Sequence, residues 1–249
     1  MQGQVYYIIG DIHGQYDRLL RRLKSVGLVF PGNDINFTNG KLIFLGDLVD
    51  RGPDSRKVVE LVKKLHEAGV AEVILGNHEF NFMGYLTKKD KKSFLRRHTR
   101  KNTRQHRATI KSYKGHSNQL KEHLAWFRTL PLYFENEHLR AVHACWDLEW
   151  IDWLIGKHPT GFMDEKFFRN SFEFNKKSFW CIERLLKGPE LNLLGGESVI
   201  DSNGNQRTGI RYKWWQKNEG KSLKEVSTKW NSSWKNQAFS FDMVQKDLA

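Results

Sequence analysis

The sequence predicts an α/β fold with parallel strands, and two observations carry that expectation. Short apolar runs alternate with amphipathic stretches through the first 80 residues. Four apolar runs in the chain also end in polar side chains, three of them beside glycine. Open α/β sheets build their ligand crevices at the carboxyl ends of their strands.

Residues 5–9 (VYYII) read as a buried strand. Residues 16–26 (YDRLLRRLKSV) repeat Leu at helical spacing, with Gly27 as the stop signal. Residues 41–45 (KLIFL) give a second strand, 55–67 (SRKVVELVKKLHE) a second helix and 71–75 (AEVIL) a third strand. This βαβαβ order predicts right-handed crossovers. Residues 80–121 are expected to be long, basic and helical, and 123–129 to continue as an amphipathic helix ended by Pro131. Residues 132–134 and 139–142 read as two further strands, and turn signals fill 201–205. No repeat or linker calls for a second unit, so the expectation is a single domain over residues 1–249, with a basic helical insert at 80–125 inside it.

Composition narrows the classes. The chain has 249 residues with sixteen Phe and nine Trp, enough for a substantial core. No apolar stretch approaches the roughly 18 residues of a membrane span, and the N-terminal segment lacks the basic region of a secretory signal. The expected location is cytoplasmic, with no membrane partner. Cys145 and Cys181 are too few for a disulfide framework and read as buried thiols. The net charge of +13 is concentrated: residues 88–121 hold thirteen Lys or Arg against Asp90, while the rest holds 28 basic and 27 acidic residues. Such a patch attracts polyanions, nucleic acid among them, or is a solvated helical face. His98, His106, Tyr113 and His116 within it are candidates for stacking on bases.

The chemistry sits in three motifs and one later residue: Gly10-Asp11-Ile12-His13-Gly14, the run from Gly46 to Gly52 (GDLVDRG), Gly76-Asn77-His78-Glu79, and His143. Asp11, His13, Asp47, Asn77 and His143 mix hard oxygen and imidazole donors, a set suited to Mn, Fe or Zn. Two such ions clamp a phosphate and supply a water nucleophile for in-line attack. Arg51 suits the phosphoryl oxygens through its planar fork of donors. His78 suits the leaving group as an acid if Asp50 holds it protonated.

These motifs, with metal-binding positions 36 and 30 residues apart, resemble the calcineurin-like metallophosphoesterases, and more narrowly the phosphoprotein phosphatase branch and its bacterial diadenosine tetraphosphatase-like relatives. The resemblance covers residues 5–80 and the segment around His143. It implies a sandwich of two mixed β-sheets flanked by helices, with a dimetal site at the carboxyl ends of the strands. It implies that Asp11 and His13 bind the first metal, that Asp47 bridges, and that Asn77 and His143 bind the second. Manganese is the expected ion, with Fe, Zn and Mg as alternatives. It further implies that Arg51 and Asn77 contact the phosphate and that His78 with Asp50 is the general acid. A second phosphate-binding Arg is usual in the family, and Arg207 and Arg211 are the candidates.

Family members carry one more metal-binding His, in a Gly-His pair on a late strand, whereas this chain has no His after His158. Three readings stay open: a chain that stops before that strand, a substitute such as Asp201 or Asp242, or a weak second site. The first is preferred, because residues 200–215 resemble the segment preceding the final Gly-His in some bacterial members. The function expected is metal-dependent hydrolysis of phosphomonoesters, on a phosphoprotein or a small ester. The alternatives are a dinucleoside tetraphosphate hydrolase and a catalytically impaired polyanion-binding protein on the same scaffold. A third class is an interaction protein whose missing strand another chain supplies.

Overall fold

The computed structural model describes residues 4–32, 34–158, 162–193, 198–200 and 206–228. Its first half follows the expected alternation: β1 (Tyr6–Ile9), α1 (Tyr16–Ser25), β2 (Lys41–Phe44), α2 (Ser55–Glu67) and β3 (Ala71–Val73). The three strands form one parallel sheet in the order β1-β2-β3. Tyr6 faces Lys41 across the first ladder, and Leu42 faces Ala71 across the second. Leu19 and Leu23, four residues apart on α1, are buried, as are Val58, Val59, Val62 and Leu65 on α2. Each such side chain contributes about 1.5–3 kcal/mol through removal from water. They fix both helices against the sheet, so all three strand ends open at one rim.

Three helices follow: α3 (Asn77–Leu86), α4 (Arg100–Ser112) and α5 (Ser117–Arg128). The expected continuous helix over 80–121 is therefore interrupted. At residues 87–99 the Asp90 carboxylate accepts from the Lys92 and Ser93 amides and the Ser93 hydroxyl, and this turn outcompetes the helix. Lys88 and Phe94 pair as an isolated antiparallel bridge beside it. Thr99 then caps α4 by accepting from the Asn102 amide.

The hairpin β4 (Tyr133–Glu135) and β5 (Arg140–Val142) leads into α6 (Leu148–Lys157), α7 (Glu165–Asn170) and α8 (Lys177–Lys187). The α8 residues Trp180, Cys181, Ile182, Leu185 and Leu186 join the main core. Four short strands come next: β6 (Glu190–Asn192), β7 (Val199–Ile200), β8 (Gln206–Arg207) and β9 (Gly209–Arg211). They form the antiparallel pairs β6-β9 and β7-β8. With α9 (Leu223–Val226), Leu191, Leu193 and Ile210 build a small second core. The architecture is α/β, with sheets flanked by helices. Cys145 and Cys181 are buried and form no disulfide. Trp214 donates its indole N–H to the Ala144 carbonyl at 3.0 Å, while Trp215 is 61% exposed. Asp201, Asp242 and the turn signals at 201–205 lie outside the described residues.

Candidate metal centre

The three motif turns interlock through their backbones. The Ile12 and His13 amides both donate to the Asp47 carbonyl, and the Gly52 amide donates back to the His13 carbonyl. A Cβ on Gly14 would lie 2.7 Å from the Gly52 oxygen, and one on Gly46 would lie 2.2 Å from the Gly76 nitrogen. Glycine is required at these positions by close approach. Four non-glycine residues in the same turns take left-handed backbone: His13 (φ 49°), Asp47 (φ 54°), Asp50 (φ 72°) and Arg51 (φ 64°). Each conformation costs about 1–3 kcal/mol and persists because its surroundings over-determine it.

Glu79 is the clamp. It is fully buried, and its carboxylate accepts from the amides of Asp47 (2.8 Å), Leu48 (2.7 Å), Val49 (3.0 Å) and Gly76 (3.2 Å). Burial and the Asp47 charge push its pKa up to about 7, while the amide donors pull it back.

Asp47 lies at the centre of the converging side chains. His13, Asp47 and His78 present ligand atoms that all lie within 4.8 Å of one another, and so do Asp11, Asp47 and His143. Two backbone carbonyls set the imidazole tautomers. His13 Nδ1 is 3.0 Å from the Val49 oxygen and His143 Nδ1 is 2.6 Å from the Leu45 oxygen. A carbonyl only accepts, so each Nδ1 carries the proton and each Nε2 is left with a lone pair.

Those lone pairs point at oxygens. His13 Nε2 is buried without a hydrogen-bond partner, 3.4 Å from Asp11 Oδ2 and 3.7 Å from Asp47 Oδ2. His143 Nε2 lies 3.0 Å from Asn77 Oδ1 and 3.5 Å from Asp47 Oδ1. Each group gathers acceptors with no donor between them, an arrangement that a cation relieves. The titration of His13 shows the same demand. Burial opposes its charge, but the Asp11 carboxylate, the Val49 carbonyl and Asp47 together raise its pKa. The Asp11 pKa is lowered, first by the neighbouring His13 imidazole. The mixed oxygen and imidazole donors fit divalent transition metals, and Asp47 faces both groups with different oxygens. Among the described residues no ligand-type side chain beyond residue 158 enters either group.

Beside this centre, His78 Nδ1 lies 2.7 Å from Asp50 Oδ2, and the His78 amide donates to Asp47 Oδ1 at 3.0 Å. Asp50 is fully buried. Burial alone would raise its pKa, but hydrogen bonds from His106 and His78 hold it well below the usual carboxylate range. His106, together with Gln105 and Thr109 of α4, reaches Asp50 across more than fifty residues of sequence, and sequence reading did not single it out for this role. One signal existed: these three are uncharged residues at i, i+1 and i+4 in an otherwise basic helix, which marks a buried face.

Arg51 is exposed, and its charge acts on both Asp11 and His13. Arg211 does not join this group through any hydrogen bond or ion pair among the described residues. It sits on β9 facing Glu190 at 4.0 Å. The candidate stacking rings divide differently from expectation. His106 and Tyr113 are buried, and His98 stacks on Tyr85 (3.9 Å) and Phe94 (4.1 Å) of its own chain. On the outer side of α4, Arg100, Arg104, Arg107 and Lys111 are exposed at helical spacing and make no ion pair among the described residues.

A family model described as calcineurin-like phosphoesterase matches residues 5–246. The asymmetrical bis(5'-nucleosyl)-tetraphosphatase PrpE of Bacillus velezensis is 39% identical over 82 residues, covering 32% of this chain and 33% of that protein. The symmetrical bis(5'-nucleosyl)-tetraphosphatase of Photorhabdus laumondii is 46% identical over 78 residues, covering 31% and 25% respectively. The match thus spans a third or less of the length of these curated relatives. Among solved structures, the cold-active protein-tyrosine phosphatase of a psychrophilic Shewanella is 21% identical with a TM-score of 0.47, over 74% of this chain and 54% of that one. No helix among the described residues is long and apolar enough to cross a membrane.

Proposed function

The chain belongs to the calcineurin-like phosphoesterase family, and from that premise we propose that it hydrolyses phosphate esters with divalent metal ions held by Asp11, His13, Asp47, Asn77 and His143. The observation that carries this reading is the pair of acceptor-only groups around Asp47, each with an imidazole lone pair facing oxygens. Asp47 offers one carboxylate oxygen to each group and is assigned as the bridge. Manganese is the proposed ion. When bound, such ions offset phosphoryl charge and lower the pKa of water to supply the nucleophile.

The chain's own groups do the rest. Arg51 stands at the edge of the centre with its guanidinium in solvent, where its fork of donors receives the phosphoryl oxygens in paired hydrogen bonds. Asn77 offers its amide to the same phosphate. His78 keeps its Nδ1–H on Asp50 and turns Nε2 towards Asp47, 3.9 Å from Oδ2. Asp50 fixes the ring through Nδ1, so Nε2 faces the site and is placed to protonate the departing oxygen.

Turnover of an aryl phosphate with added Mn²⁺ tests the reading, with a chelated sample and Asp47→Asn alongside. Equal rates in all three would refute it. A second reading, hydrolysis of a dinucleoside tetraphosphate, is favoured by the names of the two relatives. The basic outer face of α4 suits a polyanionic substrate of that kind. Comparing kcat/KM on diadenosine tetraphosphate and on an aryl phosphate separates the two. We assign the chain, residues 1–249, to a single domain in which the basic 80–125 segment flanks the centre.

A further inference from the structure

Asp50 is held from two sides. His78 Nδ1 lies 2.7 Å from Oδ2, and the three other side-chain donors all come from α4: Gln105 Nε2 to Oδ2 at 3.2 Å, His106 Nδ1 to Oδ1 at 3.0 Å, and Thr109 Oγ1 to Oδ1 at 2.7 Å. Thr109 Oγ1 also accepts from the Asp50 amide at 2.9 Å, so one hydroxyl fixes both the backbone and the carboxylate of a left-handed residue. His106 is fully buried, with its ring tilted against Phe82 (5.4 Å) and Tyr85 (5.0 Å). A carboxylate accepts only, so His106 Nδ1 carries the proton. Gln105 is oriented in turn by Arg96, whose guanidinium donates to its Oε1 at 3.2 Å and to Asn81 Oδ1 at 2.7 Å.

The torsion that turns a carboxylate about its Cβ–Cγ bond is broad and nearly two-fold. Asp50 therefore needs outside contacts to present one oxygen steadily to His78. Thr109 on Oδ1, and His106 Nδ1 at 3.0 Å from both oxygens, supply that restraint, while Oδ2 takes the His78 imidazole and the Gln105 amide. We propose that His106 and Thr109 are positioning residues, which lock Asp50 so that His78 aims its Nε2 proton at the leaving oxygen. The basic segment thereby contributes to proton delivery through the inner face of α4. This rests on the phosphoesterase reading above.

The leaving group supplies the test. Phenyl phosphate needs its oxygen protonated as the bond breaks, whereas 2,4-dinitrophenyl phosphate leaves as a stable anion and does not. The expected result for His106→Ala is a fall in kcat of about 10- to 100-fold on phenyl phosphate, the range known for outer contacts that orient a reacting group. The same variant should stay near the wild-type rate on the dinitrophenyl ester. His106→Asn, whose amide can still donate to Oδ1, should recover much of the loss. An equal fall on both esters, or no fall on either, overturns the proposal. If His106→Ala fails to fold, Thr109→Val is read in the same way. In metal-free protein, the downfield NMR signal of the His78 Nδ1 proton, assigned by its loss in His78→Asn, should move upfield in His106→Ala, and an unchanged signal overturns the proposal. Wild-type protein inactive on both esters with metal added sinks the phosphoesterase reading, while this NMR comparison still decides the positioning role.

Discussion

Gly46 and Gly76 meet backbone to backbone, so close that a Cβ on Gly46 would lie 2.2 Å from the Gly76 nitrogen and one on Gly76 would lie 2.3 Å from the Asp47 nitrogen. The turns carrying Asp47 and Asn77 are thus set at a separation that no side chain permits. Gly46→Ala should destabilise the protein by more than the roughly 1–2 kcal/mol that left-handed backbone alone costs, because backbone must also shift. Gly69→Ala is the control: Gly69 has φ 70° with nothing within 4 Å of the added atom, so only the backbone cost applies. Urea unfolding of the two variants checks the difference, and equal losses would contradict the close-approach account.

Asp47→Asn should keep its fold, since asparagine tolerates left-handed backbone and its amide oxygen can still accept from the His78 amide. Metal retention and kcat/KM should each fall at least about 100-fold. Metal analysis after gel filtration and steady-state assays on an aryl phosphate measure both.

Arg51→Ala should lower kcat/KM by about 10- to 100-fold, the equivalent of losing a charge-assisted hydrogen bond to phosphate. Its melting temperature should change little, because the side chain is exposed. A large drop in Tm would place Arg51 in the framework instead.

Glu79→Gln replaces an acceptor-only carboxylate with an amide whose oxygen can serve only one pair of backbone amides, Asp47 with Gly76 or Leu48 with Val49, and whose N–H groups oppose the other pair. A destabilisation of about 1–3 kcal/mol is expected from the donors left unpaired. Hydrogen exchange should show the loss first at the pair left without an acceptor.

Stability should also depend on pH through His123. It is buried, and its Nδ1 lies 2.7 Å from the Tyr113 hydroxyl. Burial lowers its pKa from the ordinary 6.5. The unfolded chain therefore binds the proton first, and the contribution is complete above pH 6.5 and lost as pH falls towards the folded value. Tm should drop between pH 7 and pH 5, and His123→Gln should reduce that slope.

The half of the molecule built from local signals was legible in the sequence. Residues 55–67 were expected as a helix and form α2, because Val58, Leu61, Val62 and Leu65 recur at helical spacing. Asp11, His13, Asp47, Asn77, His78 and His143 converge because each lies just past a strand, with glycine marking the bend for all but His143. What stayed hidden depends on partners distant in sequence. Glu79 reaches back to Asp47, and His106 and Thr109 reach Asp50 only once α4 packs behind it. The break at 87–99 was hidden for a different reason: Asp90 reads as one acid among lysines until its carboxylate is seen gathering the Lys92 and Ser93 amides.

Helix α4 has two faces with separate tasks. Its inner residues Gln105, His106 and Thr109 are tied to Asp50, whereas Arg100, Arg104, Arg107 and Lys111 are exposed and make no ion pair among the described residues. The outer charges are free to drift under mutation: reversing or deleting them alters long-range attraction of anions without disturbing the buried carboxylate. Related chains can thus acquire different appetites for charged substrates while inheriting one unchanged chemical apparatus, and a protein engineer can do the same deliberately by recharging four surface positions.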